Sequence, residues 1–123
     1  MIAIDTSAMS RALDGILDAT TAAVRNAVTT GEAYFPPVVL AELLSNSQMT
    51  AEVRKYIDKV PLLPIHPGYW ERAGLLRAEV KSPTRKAQLA DCLIAQSCID
   101  HDIPLITYDR DFRHFTDAGL ILI

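Results

Sequence analysis

Four acidic residues stand where carboxylates are not expected on a small protein, whose acids are ordinarily solvated surface groups. Asp5 and Asp109 follow the apolar runs Ile2 to Ile4 and Pro104 to Thr107, which read as short buried strands. Glu42 follows the Val38-Val39 pair on a strongly apolar helical segment. Asp91 has Ala87, Gln88, Ile94, Ala95 and Cys98 at helical spacing, so its carboxylate is expected to project into a packed stripe. An uncompensated charge there is unfavourable, and either a cation balances it or it hydrogen-bonds a buried backbone group. Asp5 in isolation reads as a cap or turn residue. Together, two strand-end acids and two inward-facing helix acids are expected to converge at one sheet edge, and such an oxygen-rich cluster suits Mg2+ or Mn2+. Asp111 extends the cluster.

The elements that must position these acids can be read from apolar spacing and punctuation. A helix follows Asp5 through Leu13 or Leu17, and Asp18 caps a second that Gly31 closes. Ala33 to Phe35 leaves as a strand, Pro36-Pro37 opens a third helix ended by Ser45-Asn46-Ser47, and Thr50 caps a fourth through Tyr56 or Ile57. Pro61 to Ile65 is expected as a short strand and Tyr69 to Val80 as a helix, broken by Ser82-Pro83. The longest helix is expected from Thr84 to about Ile99, and Gly119 to Ile123 as a last strand. Alternating strands and helices predict an α/β domain with a mainly parallel sheet, in which ligands bind beyond the strands' carboxyl ends.

A chain of 123 residues is expected to form a single domain spanning 1–123, and 50% apolar with 22% charged residues excludes a disordered or collagen-like chain. A mean hydropathy of +0.15 is apolar for this size and points to a partner surface. Cys92 and Cys98 lie six residues apart on one helix, too far for a disulfide, and read as reduced core thiols. No apolar run approaches the roughly 18 residues of a membrane span, and no basic leader precedes Asp5, so a cytoplasmic protein is expected. The net charge of -3 hides an uneven distribution. The middle third is basic, with Arg54, Lys55, Lys59, Arg72, Arg77, Lys81, Arg85 and Lys86 forming either a rim or an ordinary solvated face.

The motifs Ile4-Asp5-Thr6-Ser7, Leu40-Ala41-Glu42-Leu43, Ala90-Asp91-Cys92-Leu93-Ile94-Ala95 and Leu105-Ile106-Thr107-Tyr108-Asp109-Arg110-Asp111-Phe112 resemble those of PIN-domain ribonucleases. Within that family the chain is similar to the small VapC-type toxins of toxin-antitoxin pairs, in order and spacing over nearly its whole length. The resemblance implies a three-layer domain with helices flanking the sheet. It also implies a metal site of Asp5, Glu42, Asp91 and Asp109, with Asp111 as a further ligand or water-mediated contact and Thr6, Ser7 and Thr107 orienting the acids. Endonucleolytic cutting that leaves a 5'-phosphate, a cognate antitoxin and a homodimer follow as expectations. The chain departs from the commoner pattern in having Cys92 and Cys98 in place of small residues and no glycine after the helix acid.

Phosphodiester hydrolysis needs a nucleophile at neutral pH and relief of charge on the phosphoryl oxygens, both of which hard cations held by carboxylates provide. RNA is then expected to be drawn by the basic segment, above all Arg77, Lys81, Arg85 and Lys86. His66, His101 and His114 read as turn or surface groups, and no serine or cysteine stands at triad spacing. Tyr69 and Trp70 read as packing residues and Phe112 as a core anchor, whereas Tyr108 is better placed to touch a nucleotide. A phosphoacceptor receiver domain needs a lysine late in the chain, and none follows Lys86. A haloacid-dehalogenase phosphatase needs an acid where Ser7 stands, and a dinucleotide fold needs glycines absent before Asp14. The remaining alternative is a catalytically inactive PIN-like module that binds RNA or protein without cutting.

Overall fold

The computed structural model describes residues 1–123. Four short strands, β1 (Ile2–Ile4), β2 (Ala33–Tyr34), β3 (Pro104–Ile106) and β4 (Ile121–Leu122), form one sheet in the order β2-β1-β3-β4. All three pairings are parallel, with Ala3 opposite both Tyr34 and Leu105 and Ile4 opposite Ile106. From β1 the chain moves outward to β2 on one side and later returns to β3 on the other. The strand order therefore switches beside β1, and in a parallel sheet such a switch opens a crevice at the strands' carboxyl ends.

Six α-helices supply the covering layers: α1 (Thr6–Leu13), α2 (Ala19–Thr29), α3 (Pro37–Leu44), α4 (Ala51–Ile57), α5 (Tyr69–Val80) and α6 (Leu89–His101). A 3₁₀ helix follows at Arg110–Ala118. The predicted caps form as spaced. Asp5 accepts from the N–H of Ala8, Asp18 and Thr21 make a reciprocal capping box, and Thr50 accepts from the N–H of Val53. Helices α1 and α2 pack together, as do α5 and α6, while α3 touches both α1 and α6. The core gathers Ile4, Met9, Val24, Phe35, Val39, Leu63, Leu105, Phe112 and Phe115 into one buried cluster. Cys92 and Cys98 are free and buried in it, as expected.

Two element expectations and one packing expectation need correction. The long helix starts at Leu89, not Thr84. Ser82 and Arg85 exchange both backbone hydrogen bonds around Pro83, and that tight turn removes Thr84 and Arg85 from any helical ladder. The segment Pro61 to Ile65 makes one isolated bridge, between Leu62 and Phe35, because its prolines limit the ladder donors it can offer. Trp70, expected to pack, is 62% exposed, whereas Tyr69 is buried and donates from its hydroxyl to the carbonyl of Leu93.

Candidate active site

Register explains how residues far apart in sequence come together. Because Ile4 faces Ile106 across the parallel pair, Asp5 and Thr107 leave adjacent strands side by side at the carboxyl edge. The Asp5 carboxylate is 3% exposed and well supported. Oδ1 accepts from the Ser7 hydroxyl at 2.8 Å and the Ala8 N–H at 2.9 Å, while Oδ2 accepts from Ser7 at 3.0 Å and from Thr107. Thr107 in turn accepts from the N–H of Asp109 at 2.9 Å, and Ser7 from the N–H of Tyr108 at 3.2 Å. The strand-end hydroxyls thus tie the loop that carries Asp109 to the loop that carries Asp5.

Asp5, Glu42, Asp91 and Asp109 line one open pocket of about 300 Å3, together with Thr6, Ser7, Gln88 and the side of Phe112. The structure therefore brings together all four of the acids singled out from sequence, although not with the burial expected. Asp91 is half-buried and faces the pocket instead of the packed stripe, which Cys92, Ile94, Ala95 and Cys98 form on their own. Glu42 is exposed at the rim, since its helix buries Val39 and Leu43. The Thr6 hydroxyl holds Glu42 by donating to its Oε1 at 2.6 Å. Asp111 is exposed and does not line the pocket; its N–H caps the Asp109 carboxylate at 2.9 Å.

The electrostatics are those of carboxylates crowded together. Burial pushes the Asp91 carboxyl up to about 6, and the charges of Asp109, Glu42, Asp111 and Asp5 push in the same direction. Burial also raises Asp5, with the hydrogen bonds from Thr107, Ala8 and Ser7 opposing it and the Asp109 charge adding to it. As the side chains stand, no three of them lie close enough to share one metal ion. The donor set nevertheless fits a hard cation, because every acidic wall of the pocket offers carboxylate oxygen and the excess negative charge has no basic partner within it.

Gln88, which stands one turn before Asp91, also forms a wall of the pocket, and its three-residue spacing from Asp91 is the signal that marks it. Of the basic residues singled out, Lys81, Arg85 and Lys86 are exposed and none lines the pocket. Arg77 is half-buried and donates through Nε to the carbonyl of Ala87 at 2.8 Å, a packing role that an unbroken helix from Thr84 would have hidden. Phe112 is a buried core residue, as expected. Tyr108 is half-buried, with the Arg11 guanidinium over its ring at 4.0 Å and its hydroxyl on Asp18. His66 and His101 lie away from the acids, with ring centroids 4.2 Å apart.

A parallel sheet with this switch point and an acid-lined crevice at its carboxyl edge defines an α/β domain of PIN type. Residues 2–118 match the PIN domain family, and the chain belongs to that family, whose members are generally nucleases. Its fold is similar to that of a chain in the crystal structure of VapBC2 from Rickettsia felis bound to a DNA fragment from their promoter. That match has 21% sequence identity and a TM-score of 0.75, covering 100% of this chain and 98% of that one. Among curated proteins none matches the sequence. No helix is long and apolar enough to cross a membrane.

Proposed function

We propose that this protein is a metal-dependent endoribonuclease, the toxin of a toxin-antitoxin pair, that hydrolyses RNA phosphodiester bonds in the cytoplasm. The observation that carries the reading is the convergence of Asp5, Glu42, Asp91 and Asp109 on one pocket at the carboxyl edge of the sheet. Asp5, Asp91, Asp109 and Glu42 would hold Mg2+ or Mn2+, with Asp111 acting through the Asp109 loop. When bound, the cation supplies a nucleophile at neutral pH and relieves charge on the phosphoryl oxygens.

The chain's own part is to fix the donors. Ser7, Thr107 and the Ala8 N–H hold the Asp5 carboxylate in one orientation, so little ordering remains to be done when substrate arrives. Thr6 restrains the exposed Glu42, and Gln88 offers an amide to the substrate from the pocket lining. Similarity to the VapBC2 chain supports a cognate antitoxin as partner. A homodimer is the companion expectation, supported by the exposed Trp70, Leu75 and Leu89.

The test is cleavage of a structured RNA with Mg2+ or Mn2+, with and without chelator, for the native protein and Asp5→Asn. Chelator-sensitive cutting that Asp5→Asn abolishes is the expected result. The alternative outcome is a PIN-like module that binds without cutting. Absence of cutting under every metal, with RNA or antitoxin binding retained, would establish that reading instead.

A further inference from the structure

Most arginines of this chain are already engaged by the protein itself. Arg11 lies over Tyr108, Arg25 donates to Thr21, Arg54 pairs with Asp58, Arg72 with Asp100, and Arg77 holds the Ala87 carbonyl. The guanidinium groups of Arg85, Arg110 and Arg113 make no ion pair or hydrogen bond, and all three are exposed. Arg85 stands three residues before Gln88, which lines the acid pocket, whereas Arg110 and Arg113 follow Asp109, which lines it too.

The second flank is a cavity in its own right. Arg110 and Arg113 open onto a pocket of about 340 Å3 that also takes in Thr107, Tyr108 and Asp109, so Asp109 is shared between it and the acid pocket. The local geometry follows from the 3₁₀ helix, in which residues three apart eclipse. Phe112 and Phe115 form the buried row, which leaves Arg110 and Arg113 stacked on an outer row as a two-guanidinium clamp. Paired guanidinium forks suit phosphate oxygens, which they bind bidentately and without base specificity.

We propose that Arg110 and Arg113 form a backbone-phosphate subsite for the RNA strand, next to the scissile position and separated from it by Asp109. The subsite deepens the nuclease reading and rests on it. It offsets the repulsion that the acid pocket exerts on a polyanion. The favoured ligand is RNA over an acidic protein segment because the clamp shares a wall with the acids and is therefore reached by whatever strand lies in their pocket.

The test is binding of a short fluorescent single-stranded oligoribonucleotide in chelator, so that nothing is cut, over a range of salt concentrations. The variants are Arg110→Gln with Arg113→Gln, and a control of equal charge change, Asn26→Asp with Thr29→Glu, on the exposed face of α2 and outside both pockets. The arginine pair is expected to weaken binding several-fold at low salt and to flatten the salt slope by about 0.7 for each phosphate no longer neutralised, with the control close to native. Equal effects in the two variants would reduce the clamp to the general field of the protein and overturn the proposal. An unchanged arginine variant would overturn it too, leaving the pocket to a protein partner, while metal-dependent cleavage by the native protein would keep the nuclease reading intact. A selective loss of binding in a protein that cuts no RNA would keep the subsite and remove the catalytic reading.

Discussion

The Thr107 hydroxyl at the end of β3 donates a hydrogen bond to the Asp5 carboxylate at the end of β1, joining residues 102 positions apart in the chain. The same oxygen accepts from the N–H of Asp109, so a single side chain sets the separation of two acids. Thr107→Val keeps the shape but removes both interactions. It is expected to lower stability by about 1–2 kcal/mol and to reduce metal-dependent cleavage by about 10–100-fold, the range for groups that orient metal ligands. Thr107→Ser is expected to restore both. Denaturant melts and cleavage rates of the two variants decide it, and a fully active Thr107→Val would mean that Asp5 needs no such orientation.

Asp91 links the acid cluster to stability. Its carboxyl is pushed from the ordinary 3.8 up to about 6 in the folded chain, so between these values the folded state holds a proton that the unfolded state has released. The stabilisation from this group is complete below about pH 3.8 and is lost as pH rises through about 6. Asp91→Asn abolishes the titration. In chelator, the melting midpoint of Asp91→Asn minus that of the native protein is expected to rise with pH across that window, and a flat difference would show that neither burial nor the neighbouring acids raise the Asp91 carboxyl.

Much of this arrangement was legible in the sequence because it is local. The caps at Asp5, Asp18 and Thr50 and the apolar runs that became β1 and β3 depend on neighbours within one turn or one strand. What could not be read was set by long-range packing. Helical spacing around Asp91 continues back through Gln88 and Thr84, but the reciprocal Ser82 and Arg85 hydrogen bonds and the Arg77 contact to Ala87 hold that segment off the helix. The same spacing ascribed Asp91 to the core stripe, yet α6 is packed by α5 on one side and α3 and the 3₁₀ helix elsewhere, leaving the Asp91 direction open as the pocket wall. The adjacency of β1 and β3, which unites the acids, is a matter of sheet order that strand patterns alone do not encode.

The basic segment before α6 allows a second flank to be tested. Arg85 and Lys86 are exposed, just before Gln88 on the pocket wall. Arg85→Glu with Lys86→Glu is expected to weaken RNA association and flatten its salt dependence while leaving thermal stability unchanged, because neither side chain makes an ion pair in the fold. Unchanged association at low salt would identify this segment as a solvated face and leave Arg110 and Arg113 as the sole basic flank.

Stability also tests whether the four acids act as one site. Carboxylates that share a pocket repel one another without a cation, and a cation that binds only the folded state stabilises it by RT ln(1 + [L]/Kd). Mg2+ or Mn2+ is therefore expected to raise the melting midpoint, with a gain of about 2.7 kcal/mol at a hundred times Kd. Asp91→Asn relieves repulsion without emptying space, so near neutral pH its metal-free form is expected to melt at or above the native temperature, while the metal-induced increase shrinks and cleavage disappears. A purely structural Asp91 makes the opposite prediction, since an amide would disturb whatever the carboxylate supports. A lower metal-free midpoint for Asp91→Asn, with metal response and cutting retained, would remove Asp91 from the site and leave Asp5, Glu42 and Asp109 to account for any metal dependence.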